Sequence, residues 1–163
     1  MNRRTFTTMA MLFSAVVFTT TLPHVSFAQS TPQLGTWKLN LEKSKFSPGS
    51  APRSTTRTTE AVGQSFRTTF DGISADGSPT KVVFGPYSYD GKHYPVTGTP
   101  NYDAASYKQI NSTTNEITLT KSGKNVQTAT GVFSADGKTY TITNTGLTAT
   151  GQQINNVAVY EKQ

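Results

Sequence analysis

A chain of 163 residues with 34% apolar, 15% charged and 10% aromatic residues has room for one domain-sized core and is neither a highly charged disordered polymer nor a membrane bundle. It contains no cysteine, which excludes disulfides, thiol catalysis, thiolate metal ligation and a lipid-bearing cysteine at an export cleavage site. The formal charge of +6 comes from lysines and arginines scattered without a run, so no nucleic-acid or membrane patch is expected.

Residues 1–28 have the layout of a cleavable export signal. Arg3 and Arg4 precede an apolar stretch from about Met9 to Leu22, and Ser26-Phe27-Ala28 fits the small-x-small cleavage pattern. A spanning helix needs about 20 apolar residues, and Thr19, Thr20, Thr21, Pro23 and His24 end this run too early. Arg3-Arg4-Thr5-Phe6 resembles the twin-arginine form of such signals, but its flanks match poorly and ordinary export is the expectation. The leader holds two of the 15 basic residues and none of the nine acidic ones, which leaves +4 on residues 29–163. Those residues are expected to form a single domain, periplasmic or secreted, with no stable membrane insertion once the leader is removed.

Threonine dominates the mature part, and it often alternates with apolar residues, where a branched side chain suits a pleated backbone. Helical periodicity is absent. In chain order, strands are expected over residues 36–41, 54–60, 65–70, 80–84, 87–89, 93–97, 106–111, 116–120, 126–134, 139–144 and 154–161. Residues 44–52, with Pro48-Gly49-Ser50 inside, read as the one long loop. Arg53, Arg57 and Arg67 are the densest basic group; Arg53 and Arg57 share strand parity and read as a solvated face near Glu60. Asp-Gly pairs at 71–72, 76–77, 90–91 and 136–137 signal tight turns. Ser74-Ala75-Asp76-Gly77 recurs as Ser134-Ala135-Asp136-Gly137, which convergent turn chemistry explains better than a duplicated unit.

Many short strands with no helix to cover a sheet must bury their apolar faces against one another in a sandwich or by closing into a barrel. The expected interior is Trp37, Leu39, Phe66, Phe70, Val82, Phe84, Ile110, Ile117, Leu119, Phe133, Tyr140, Ile142, Val157 and Val159. Gly35-Thr36-Trp37, at the start of the first strand, resembles the Gly-x-Trp signature of lipocalins and other calycin barrels. That resemblance implies an all-β, antiparallel up-and-down barrel of about eight to ten strands, with Gly35 and Trp37 as a structural plug at the closed end. No arginine follows Arg67 to pack over the tryptophan from the last strand, as one does in that family. Residues 35–40, 43–46, 90–98 and 155–161 are similar to small exported bacterial proteins of unassigned function.

Catalytic material is scarce. The mature part has one histidine, His93, and lacks a Gly-x-Ser-x-Gly elbow, a phosphate-binding glycine loop and a His-Glu-x-x-His helix. A metal at His93 would need two or three further ligands converging on it, and a solvated hairpin histidine is the expectation. A carboxylate pair assembled from distant residues such as Asp90, Asp103 or Glu116 is not singled out by anything in the pattern. No metal or cofactor is expected. Tyrosine is unevenly placed: Tyr87, Tyr89, Tyr94, Tyr102 and Tyr107 are five of the seven. A ring with a polar tip suits the mouth of a cavity or a sugar face, although strands favour tyrosine in any case. The expected function is a monomeric, noncatalytic binding module that holds a small apolar or amphipathic molecule, or a glycan, at those five tyrosines. The alternatives are an envelope or interaction protein with a filled core, and a small hydrolase or isomerase on the same barrel.

Overall fold

The computed structural model describes residues 31–148 and 150–163; the expected leader lies outside the described residues. Ten strands follow in order: β1 (Gly35–Lys45), β2 (Ser54–Val62), β3 (Ser65–Ile73), β4 (Pro79–Tyr87), β5 (Asp90–Thr97), β6 (Ala104–Gln109), β7 (Thr114–Lys121), β8 (Lys124–Phe133), β9 (Thr139–Leu147) and β10 (Gln153–Lys162). Each pairs antiparallel with its neighbours in sequence, and β1 pairs with β10 to close the sheet. An even strand number permits this, because strands that reverse at every turn leave the first and the last running in opposite directions. No helix occurs among the described residues. The chain therefore forms the expected all-β up-and-down barrel, at ten strands.

Alternation along each strand sorts the side chains. β9 sends Tyr140, Ile142 and Asn144 to the lumen and leaves Thr139, Thr141, Thr143 and Thr145 on the outer face. Two buried clusters fill much of the inside. Trp37, Leu39, Phe133, Tyr140 and Tyr160 pack together on β1 and β8–β10, and Phe84, Tyr87, Val96, Ala105, Tyr107 and Leu119 pack together on β4–β7. Segments 80–84 and 87–89, expected as separate strands, are partly joined: β4 reaches Tyr87 through a bulge. Phe66 faces Tyr87 while Thr68 faces Phe84, so β4 holds one extra residue, and Tyr87 rather than Pro86 is turned inward. Gly85, inside the bulge, has φ +92°, and a Cβ there would lie 2.7 Å from the Tyr87 nitrogen.

Three interior expectations are corrected. Ile110 follows β6 rather than lying within it, and is 53% exposed. Val157 and Val159 are only half-buried, because β10 turns Asn156, Ala158 and Tyr160 to the lumen instead. Two of the four Asp-Gly turns are corrected: Asp90-Gly91 opens β5, with Gly91 at φ +76° in the irregularity between Asp90 and His93, and the other lies in β3. Asp71-Gly72 lies inside β3, paired with Thr56 and Thr55, and Gly72 is required by the close approach of the Ser54 carbonyl rather than by a turn. The recurring Ser-Ala-Asp-Gly segments do form matching hairpin loops. In each the serine hydroxyl donates to the aspartate carboxylate (Ser74 to Asp76, Ser134 to Asp136), and the glycine N–H returns to the serine carbonyl at 3.0 Å and 2.9 Å. These contacts hold the carboxyls of Asp76 and Asp136 below their ordinary range, the serine hydroxyl being the main cause.

Candidate functional site

One end of the barrel is plugged. Trp37 is 0% exposed, its ring centroid 5.6 Å from that of Phe133 and 6.2 Å from that of Tyr140. Its indole N–H donates to the Gln33 carbonyl at 3.3 Å. The turn that carries Gln33 lies across this end, since Pro32 and Gln33 share a small recess with residues 111–115 from the loop and strand start beyond β6. Gly35 begins β1 with φ +107°, a conformation that favours glycine. No arginine of the last strand covers the indole, but Lys162 there places Nζ 5.1 Å from its ring centroid, and Arg57, opposite Trp37 on β2, donates to the same Gln33 carbonyl at 3.3 Å.

Beyond the plug the barrel is hollow. A cavity of about 480 Å³ runs to a mouth framed by two loops. Residues 46–53 contribute Phe46 and Pro52, and residues 98–103 contribute Thr99, Asn101 and Tyr102. The first loop is tied down by hydrogen bonds from the Ser47 N–H to Asn156 Oδ1 (2.8 Å) and from the Asn155 N–H to the Ser47 carbonyl (2.7 Å). The wall below is apolar, with Phe70, Val82, Phe84, Ile117, Leu119, Ile142 and Ala158. Deeper lie Arg57, Tyr87, Tyr89, Tyr107, Asn115 and Tyr140. Tyr87 and Tyr107 stack with centroids 3.8 Å apart, and Tyr89 meets both edge-on.

Polar groups in this lower layer mostly satisfy one another. The Tyr140 hydroxyl donates to Asn115 Oδ1 at 3.2 Å, and Asn115 Nδ2 faces the Tyr89 oxygen at 3.5 Å. The hydroxyls of Thr59 and Thr68 are 2.8 Å apart, and those of Thr68 and Tyr87 are 3.0 Å apart. Nearer the mouth, where Asn144 lies opposite Asn156, Asn144 donates to Gln127 Oε1 at 2.9 Å, but its own Oδ1 is buried without a partner among the described residues. Burial pushes the hydroxyls of Tyr89, Tyr107, Tyr140 and Tyr160 up, and that of Tyr102 up to about 12. All five therefore stay neutral at physiological pH.

No protein-family model matches the chain, and no curated protein is detectably similar to it.

Four of the five tyrosines singled out from the sequence, Tyr87, Tyr89, Tyr102 and Tyr107, line the cavity. Tyr94 does not: β5 sets it opposite Ala105, against the Phe84–Tyr107 cluster, and its hydroxyl donates to Asp90 at 2.9 Å. His93 is exposed on the outer face, and no metal-binding group of side chains occurs among the described residues. Asp90, Asp103 and Glu116 are exposed and apart from the cavity. Asp90 pairs with Lys92 at 3.1 Å, and Asp103 accepts from the Ser122 N–H at 2.9 Å.

Arg57 is the main correction. Instead of lying on a solvated face with Arg53, it is 3% exposed and lines the cavity. A signal for this was present. β2 reads Ser-Thr-Thr-Arg-Thr-Thr-Glu-Ala-Val, so one alternating face carries Arg57 and the other Glu60. Any barrel that uses this strand turns one of those charges inward. The side on which Ala61 follows Arg57 is the lumen, with Thr59 buried beside it.

Proposed function

We propose that this barrel is a noncatalytic binding module, and that the hollow interior holds a small amphipathic molecule, entered through the mouth between residues 46–53 and 98–103. The observation that carries this reading is the cavity of about 480 Å³, inside the range of about 300–1,000 Å³ usual for small-molecule sites. A filled core would leave no such space. The wall supports binding over catalysis, because it carries no carboxylate, imidazole or amine from which a general acid and base are commonly drawn. Tyr87, Tyr89, Tyr102 and Tyr107 would line the bound molecule, and Trp37 would support the site without touching it. An aromatic lumen and an outer face of threonine and charge are the reverse of a membrane-spanning barrel, which fits a monomer working in an exported, aqueous setting. The test is to incubate the purified protein with lipid extracts and record native mass spectra. A discrete adduct retained by the folded protein is expected, and repeated recovery of the bare mass across extracts would refute the reading.

A further inference from the structure

The barrel interior holds one guanidinium and nothing of opposite sign. Among the described residues Arg57 makes a single hydrogen bond, from Nη1 to the Gln33 carbonyl at 3.3 Å, and its guanidinium carbon sits 4.7 Å from the Tyr140 ring centroid. A guanidinium has five N–H donors and stays charged. The other N–H donors of Arg57 are not shut off from solvent but open on the cavity, where they are free to meet an anion. The chain supplies none. All nine of its acidic residues are among the described ones. Eight are exposed; the ninth, Glu161, is half-buried and paired with Lys43 at 2.8 Å.

We infer that the ligand is a small organic monoanion, a carboxylate on an apolar body, whose carboxylate pairs with Arg57 deep in the barrel. This rests on the barrel being a ligand container. One cation on the wall balances one negative charge, and the planar guanidinium fork matches a carboxylate. The Thr59, Thr68 and Tyr87 hydroxyls form a chain nearby whose two internal bonds use two of its three protons, which leaves one donor for the ligand. Above them Phe70, Val82, Phe84, Ile117 and Leu119 form the belt that takes the body. The order from bottom to mouth is thus charge, then apolar wall, then the polar rim of Thr99, Asn101 and Asn156, and a head-down amphiphile fits it in one orientation.

Isothermal titration of the protein with decanoate and with 1-decanol at neutral pH tests this, since the probes share a tail and differ in charge. Decanoate should bind at least about tenfold more tightly, and Arg57→Met should remove that preference. In the wild-type protein, which needs no variant to fold, the preference should also vanish as pH falls through the carboxylate's own range of about 4 to 5. The only other titratable side chains on the cavity wall are tyrosines, so no protein group should blur that step. Equal affinities in the wild type, a preference that survives in Arg57→Met, or one that does not titrate would overturn the anion assignment and leave the container standing. Binding of neither probe, together with bare masses from the lipid extracts, would remove both.

Discussion

Gly131 provides a sharp test of how the core is assembled. It lies on β8 facing the lumen, and the Tyr140 ring, stacked on Phe133 at 4.1 Å, extends its hydroxyl over the space a side chain would take. A Cβ at this position would overlap the Tyr140 hydroxyl oxygen and Asn115 Oδ1, and would sit 2.7 Å from Tyr140 Cζ. In an ordinary strand, glycine to alanine gains about 0.5–1 kcal/mol from backbone entropy. Here overpacking costs about 1–3 kcal/mol. Displacing the Tyr140 hydroxyl from Asn115 adds about 1–3 kcal/mol more, so repulsion wins and Gly131→Ala should destabilise by about 2–4 kcal/mol. At about 3–5 °C per kcal/mol for a domain of this size, Tm should fall by about 6–20 °C. Tyr140→Phe removes the clashing oxygen, so the double variant should be less destabilised than the sum of the singles by about 1–2 kcal/mol. Urea unfolding followed by the fluorescence of Trp37, the sole tryptophan, measures all three variants. Wild-type stability in Gly131→Ala, or strict additivity in the pair, would refute the reasoning.

Two further outcomes follow from the plug and from the buried phenols. Trp37→Ala should cost about 3–5 kcal/mol, read by thermal unfolding in circular dichroism; a loss below about 1 kcal/mol would mean that the indole does not support the barrel. Tyr89, Tyr102, Tyr107, Tyr140 and Tyr160 are all raised by burial, so above about pH 10 the unfolded chain has lost phenolic protons that the folded chain keeps, and stability falls as pH rises. Their contribution is complete below that pH, and phenolate absorbance from these five should appear together with unfolding. Smooth ionisation of all seven tyrosines with the fold intact would contradict it.

Strand positions were legible because threonine alternates with apolar residues and turns interrupt the run. Barrel closure was legible because no helix was available to cover a sheet. Harder to read was which face of a strand points inward where both carry similar residues. β10 offers Val157 and Val159 on one side and Ala158 and Tyr160 on the other, and the register with β9, where Tyr160 faces Tyr140, decides between them. Arg57 was misread for a related reason. An arginine between threonines has the composition of a surface, and only the absence of a charge-free face on β2 argues otherwise. The Asp71-Gly72 pair shows the limit of turn signals, since a glycine demanded by a neighbouring carbonyl has the same letter as one demanded by positive φ. Tyr94 was gathered with its neighbours by proximity in sequence, but its ring packs on the Phe84–Tyr107 cluster and its hydroxyl is taken by Asp90 rather than by the cavity.

Closure by β1 and β10 also constrains the order of assembly. Trp37 is aligned with Lys162 and Leu39 with Tyr160, so the seam joins the two ends of the barrel segment, and its ring entropy is recovered only when the last strand docks. Hairpins from β2 onward can form locally, but until β10 arrives β1 leaves half its backbone polar groups without sheet partners. Such a molecule folds late and all at once, with the slow kinetics of distant pairings. A chain cut before Gln153 would present two open edges in place of none, and self-association would compete with folding.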